Sequence, residues 1–198
     1  PGLVMPGRRM ADIVDEYAVA PYTAPRHPGT GKTYTFAEYR ADNAATQPDA
    51  WWTERFRAEN THLATDWMRT SVVNAREKNP AIRITTYETG QHIWDDVGTM
   101  TPEALAITRR AHKFLSGPAG AAMFQDHYQR VHKDFGATLY NQFVDVGGWY
   151  SRRFINGGWG MRPHSDAPTN AHFDWFNALP GKPASIGAAV GNIRALIV

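Results

Sequence analysis

Ile82-Arg-Ile-Thr-Thr-Tyr-Glu-Thr-Gly-Gln-His92 decides how this chain is read. Ile82, Ile84, Thr86 and Glu88 recur at every second position, which places them on one face of a strand. The run ends on an acid, Glu88, and breaks at Gly90. A carboxylate at the carboxyl end of a strand, just before a glycine turn, is where α/β barrels keep catalytic groups. Gln91, His92, Trp94, Asp95 and Asp96 follow at once, so polar and aromatic groups gather at the same end. An ordinary cap or loop acid would leave the same pattern, and Asp95-Asp96 reads as a solvated turn. If the even-numbered residues face a barrel interior, Arg83 faces the helices and needs a partner or a place near the strand's lower end.

Upstream, residues 8–16 read as the end of a helix, with Met10, Ile13 and Val14 on one side. Glu16-Tyr-Ala-Val-Ala-Pro-Tyr22 reads as a short buried strand stopped by Pro21. Residues 23–50 are rich in Pro, Gly, Thr and Asp and form a long loop with a short helix near Phe36 to Arg40. Gly29-Thr-Gly-Lys-Thr33 lacks the first glycine of a phosphate loop and follows no strand, so it is set aside. A long helix is expected from about Ala50 to Lys78, with Trp52, Phe56, Leu63 and Trp67 as its apolar stripe. Asn79-Pro80 stops it.

Downstream, Thr101-Pro102-Glu103 is a helix start: a capping residue, proline in the first turn and an early acid. Ala104, Ile107, Ala111 and Leu115 give that helix its inner face. Gly117-Pro118 breaks it, and a second helix carries Phe124, Tyr128, Val131 and Phe135 to Gly136. Ala137 to Asp145 is a third strand, again ending on an acid and then Gly147-Gly148. Asp145 is a second candidate carboxylate, or a partner for Arg152 or Arg153. A loop of about twenty residues follows, the length at which loops are functional or disordered. Thr169 to Leu179 is a last helix with Phe173 and Phe176 inward. Strands alternating with long helices imply a parallel sheet.

The 198 residues suffice for one domain with its own core. The content of 42% hydrophobic and 20% charged residues is that of a globular protein. The net charge of +2 is scattered, with no basic run, so nucleic acid is not an expected partner. The chain has no Cys, which excludes disulfides, thiolate metal sites and a Cys nucleophile. No stretch approaches the roughly 18 apolar residues of a membrane span. His127 and His132 are five apart and do not share a helix face as a zinc-binding pair does, so no metal or other cofactor is expected. No Gly-x-Ser-x-Gly elbow supports a serine hydrolase. The start, Pro1-Gly-Leu-Val-Met-Pro, has neither an initiator Met nor a signal-peptide pattern, and a processed or partial chain is expected. The 7 Trp, 8 Tyr and 9 Phe include several in glycine-rich loops, where exposed rings suit the C–H faces of sugars.

Tyr17-Ala-Val-Ala-Pro-Tyr22, Thr86-Tyr-Glu-Thr-Gly-Gln-His92 and Leu139-Tyr-Asn-Gln-Phe-Val-Asp-Val-Gly-Gly-Trp149 together resemble the last three strands of a (β/α)8 glycoside hydrolase-like barrel. The likeness is to the bacterial cellulose-binding or calcium-binding type, related to the clan with a Glu nucleophile on strand seven. It covers roughly residues 10–178. It implies an α/β fold, a parallel-strand TIM-barrel portion of about the last three β/α units over residues 1–180. Residues 181–198 would be a tail or the start of a further segment. Carried over, Glu88 takes the nucleophile position, and Tyr22, His92, Trp94, Asn141 and Trp149 line a sugar site. The implied setting is extracellular or cell-surface, with a polysaccharide as ligand. The clan's acid/base is a Glu after an Asn, and no Asn-Glu pair occurs here. Thr89 stands where glycine is usual. A retaining glycosidase needs two carboxyl groups about 5 Å apart. An eight-stranded barrel takes roughly 250 residues. The missing strands and the acid/base are therefore expected from an absent N-terminal part or a second polypeptide. The alternative is a non-catalytic carbohydrate-binding or structural protein that keeps the barrel.

Overall fold

The computed structural model describes residues 14–143, 149, 154–156 and 160–179. The expected helix over 8–16 lies mostly outside them, and its last residue, Glu16, is already in a strand. Asp145, Arg152, Arg153 and the tail from residue 180 also lie outside them.

β1 (Glu16–Val19) and β3 (Arg83–Thr86) pair in parallel, with Glu16 opposite Arg83 and Val19 opposite Thr86. β2 (Tyr22–Thr23) and β4 (Gly90–Gln91) continue the same two ribbons, also in parallel. Residues 137–143 run along the other side of the second ribbon. Parallel bridges join Ala137 to Ile84 and Gln142 to Thr89, and Phe143 N–H donates to the Thr89 carbonyl at 2.8 Å. The architecture is mixed α/β with three short parallel ribbons in chain order, and no closed barrel forms among the described residues.

The first ribbon is not a continuous buried strand. Only Val19 of β1 is buried, and the strand breaks at Ala20-Pro21, where proline removes a ladder donor and Tyr22 N–H turns back to the Ala20 carbonyl at 2.9 Å. The facing of the second ribbon is also the reverse of that expected. Ile82 and Ile84 pack with Val19, Met68, Val72, Val131 and Ala137, so the even-numbered face meets the helices. Arg83 lies on the opposite face and pairs with Glu16 at 2.6 Å. Alternation fixes which residues share a face but not which face is covered.

The expected short helix is α1 (Phe36–Ala41). Thr35 and Glu38 form a reciprocal capping box at its start. Asp95 is no solvated turn: it sits in β5 (Trp94–Asp96), and its carboxylate accepts from Phe36 N–H, another open donor at the same helix end.

The long helix is α2 (Asp49–His62), a π-helical segment Leu63–Trp67 and α3 (Met68–Lys78). The expected stripe holds at Trp52, Phe56 and Leu63 and fails at Trp67, which is 43% exposed, whereas Met68 is 0% exposed. A π turn takes one residue more than an α turn. The inward position therefore passes from 67 to 68.

α4 (Pro102–Ser116) starts under Thr101, whose hydroxyl accepts from Ala104 N–H at 3.2 Å. α5 (Pro118–Tyr128) follows one residue later and ends in a second π segment, Gln129–Asp134. β5 pairs antiparallel with β6 (Phe154–Asn156), an element the sequence reading missed. α6 (Ala171–Asn177) is capped by Asn170. Its buried residue is His172 rather than the expected Phe173 and Phe176, and Trp175 packs on the core.

The main core lies between α2, α4, α5 and the β5–β6 pair. Trp52 stacks on Phe114 at 6.1 Å, Phe56 on Phe114 at 5.6 Å, and Ile107, Phe124 and Ile155 close it. Each large side chain buried there contributes about 2 kcal/mol. A polar chain crosses it: Thr23 Oγ1 donates to Asn60 Oδ1 at 2.6 Å, and Asn60 Nδ2 donates to Asp126 Oδ2 at 2.9 Å. It locks the end of the first ribbon to α2 and α5. No helix among the described residues is long and apolar enough to cross a membrane.

Candidate functional site at the strand ends

Val19 stands opposite Thr86, and Tyr22 stands opposite Gly90. The first ribbon advances three residues while the second advances four. The extra residue is a bulge at Tyr87-Glu88, and bulges re-aim the side chains beside them. Here the bulge brings half-buried Glu88 against Tyr22, whose hydroxyl donates to Glu88 Oε2 at 2.9 Å. Burial, and then the bond to Glu88, push the Tyr22 phenol well above its usual range, so it remains a donor at every physiological pH.

Gly90 ends the bulge at φ +134°. A Cβ there would lie 2.5 Å from Gln142 Nε2 and 3.2 Å from the Phe143 carbonyl, so only glycine lets the third ribbon approach. Thr89, in a place where glycine was expected, is fully buried, and its hydroxyl donates to the Asn141 carbonyl at 2.7 Å.

The chain leaves β4 with His92 N–H bonded to the Thr23 carbonyl at 2.7 Å. This sets the His92 ring 5.5 Å from that of Tyr22. Burial lowers the His92 pKa, which favours neutral imidazole. Tyr22, His92 and Trp94 line a cleft of about 260 Å³ with Tyr34, Tyr39 and Glu59. Four of the six residues expected at the site thus come together: Tyr22 and Glu88 by a hydrogen bond, Tyr22, His92 and Trp94 by a shared cleft.

Asn141 and Trp149 have other work. Asn141 Nδ2 donates to the Thr86 carbonyl at 3.2 Å and ties the third ribbon to the second. Trp149 stacks on His112 of α4 at 4.4 Å and donates from its indole to the Gly160 carbonyl at 2.9 Å.

Sequence reading missed Glu59, Tyr34 and Tyr39. Glu59 is buried and pairs with Arg26 at 2.6 Å. Its signal was available, because Glu59 falls on the stripe of Trp52, Phe56 and Leu63, where a charge needs a partner. Tyr34 and Tyr39 come from the long loop, which carried no periodicity to read. Beside the Pro21 carbonyl of the first ribbon, His127 Nδ1 lies 2.8 Å from the Tyr140 hydroxyl. Burial holds His127 down to about 4 and raises Tyr140, so both are neutral. Among the described residues no three His, Asp or Glu side chains gather to hold a metal ion.

Replacing Tyr22 by Phe removes the donor to Glu88 and leaves the ring. The expected result is a roughly ten-fold loss in affinity or turnover for whatever ligand contacts Glu88, with thermal stability changed by about 1 kcal/mol, the net worth of one hydrogen bond. Calorimetric titration beside a melting curve checks it.

Comparison of this chain with family models, with curated proteins and with solved structures found no match.

Proposed function

We propose that this chain is the carboxyl-terminal portion of a TIM barrel of glycoside hydrolase type, and that it binds a polysaccharide at the Tyr22–His92–Trp94 cleft and cleaves it with Glu88, which Tyr22 holds by a hydrogen bond. The observation that carries this reading is the Tyr22–Glu88 hydrogen bond at the carboxyl ends of two adjacent parallel ribbons. Parallel sheets place their ligands at that end. The partly uncovered sheet face supports the barrel. Ile84 meets the helices, whereas on the other face Arg83 is exposed and Thr85 is buried. Parallel sheets are ordinarily buried on both faces, so this one calls for further strands. They would come from an N-terminal part or a second polypeptide.

In retaining hydrolysis a Glu88 oxygen attacks the anomeric carbon. The glycosidic oxygen leaves with a proton from a second carboxyl group, and water then releases the sugar. Tyr22 orients the nucleophile. Glu59, the acid that lines the cleft, is held in an ion pair with Arg26. The proton is therefore assigned to a carboxyl group on the further strands. That same fact favours a second reading, a binding protein without turnover. Both readings place the protein outside the cell or on its surface, where polysaccharides are met.

The test is hydrolysis of soluble glucans and xylans by the native assembly, including anything that co-purifies. Glu88→Gln should reduce turnover at least a hundred-fold and leave binding within a few-fold, because the amide keeps an acceptor for Tyr22. Full activity in Glu88→Gln sinks the hydrolase. Binding without any turnover in the native protein selects the second reading.

A further inference from the structure

Trp67 is the one residue of the long helix whose expected inward place is lost. The π segment Leu63–Trp67 turns it outward, and Met68 fills the core in its stead. π segments interrupt the α-helical hydrogen-bond ladder and are frequent at functional sites. Trp67 and His62 line a second cleft of about 340 Å³, together with Tyr22 and His92. The first cleft, with Trp94 on its wall, has about 260 Å³ and shares Tyr22, Glu59 and His92 with the second. Two half-exposed indoles therefore flank one polar centre.

We propose that Trp67 is the stacking platform of a second sugar subsite, so that the ligand is a chain of at least two or three sugar units running across Tyr22 and His92. The inference rests on the sugar-binding reading above and names its substrate class: an oligosaccharide segment, not a single sugar. The walls suit that ligand. Indole faces take the C–H faces of pyranoses. The groups between them, the Tyr22 hydroxyl, His92 and His62, are short-range hydrogen-bonding groups suited to sugar hydroxyls. A cationic ligand suits the clefts less, because the acid they share, Glu59, is already paired with Arg26.

The test titrates the native protein with glucan, xylan and chitin oligosaccharides of one to six units, and repeats the series with Trp67→Ala. The side chain is outside the core, so the variant should melt within about 1 kcal/mol of the parent. Affinity is expected to rise from one unit to three and then level off. Trp67→Ala should lose roughly ten-fold for the trimer, the worth of one ring contact, and nothing for the monomer. The part of the acrylamide quenching that Trp67→Ala removes should fall when the trimer is added and not when the monomer is. Binding that ignores chain length, or a Trp67→Ala variant that binds the trimer as the parent does, overturns the subsite and leaves the sugar reading standing. No binding of any oligosaccharide overturns the sugar reading itself. A Trp67 inaccessible to acrylamide in the native assembly means that the ring is covered, and also overturns the subsite.

Discussion

Lowering the pH from 7.5 to 5 is expected to cost the fold about 4 kcal/mol, through two buried histidines. His127 is walled in beside the Pro21 carbonyl, with Nδ1 2.8 Å from the Tyr140 hydroxyl. His172 of α6 lies flat on Phe124 at 3.6 Å. Burial lowers both, His127 to about 4 and His172 to about 3, from an ordinary value near 6.5. The Pro21 carbonyl and Asp126 pull His127 upward, but less strongly than burial pushes it down. Below pH 6.5 the unfolded chain takes up two protons that the folded chain refuses. Stability is therefore complete above about pH 6.5 and falls as the pH drops toward the folded-state values. At pH 5 each site has lost about 2 kcal/mol.

That loss is a large share of the roughly 5 to 15 kcal/mol of a typical domain. Most carboxylates titrate below pH 5, which leaves the histidines as the main contributors over this interval. Urea unfolding at the two pH values measures the difference. His172→Phe keeps the stack on Phe124 and removes the proton site, so it should recover about half of the loss. Equal stability at pH 7.5 and 5 would show that these rings are not buried as described.

The sequence held most of the element order. The cap at Thr101, the breaks at Asn79-Pro80 and Gly117-Pro118, and the Trp52–Phe56–Leu63 stripe are local signals, and the elements they predict are present. What failed depended on partners distant in the chain. Ile82 and Ile84 alternate as a strand should, but only the packing of α3 and the second π segment decides which face is covered. β5 and β6 are three residues each and lie far apart in the chain, so neither carries a usable period. The π turn at Leu63–Trp67 has no sequence signature in a helix of ordinary composition, and an unbroken α-helical period places Trp67 inward.

The candidate site was legible for a related reason. Glu88, His92 and Trp94 lie within seven residues of one another, so locality alone brings them close. Tyr22 joins through parallel pairing, which the strand order implies. Asn141 lies on the neighbouring ribbon, yet its amide is taken by the Thr86 carbonyl. Trp149 follows the third ribbon, and the fold carries it onto α4. Proximity in a motif gives nearness to the site, while the hydrogen bonds decide which side chains are left to act there.

Gly120→Ala is expected to destabilise the protein by about 2 kcal/mol, although alanine is the better helix former. Gly120 lies in the first turn of α5, just past the break at Gly117-Pro118. A Cβ built on it would meet the Phe114 carbonyl oxygen at 2.4 Å and the Leu115 carbonyl oxygen at 2.6 Å. Both are backbone atoms of the last turn of α4, and Phe114 and Leu115 are themselves packed in the main core. No rotamer change relieves the contact. Relief requires α5 to move away from α4, which would disturb Met123 and Phe124 on the same helix. Overpacking of this kind costs typically 1 to 3 kcal/mol, and the gain in helix propensity returns at most about 1. A melting temperature lower by roughly 4 to 8 °C would express the net loss in a domain of this size. Ala122→Gly, on the exposed side of the same helix, is the matched control and should lose only about 1 kcal/mol. A Gly120→Ala protein that melts at or above the parent temperature would show that α4 and α5 do not meet this closely, and the packing of the main core would have to be redrawn around a wider turn.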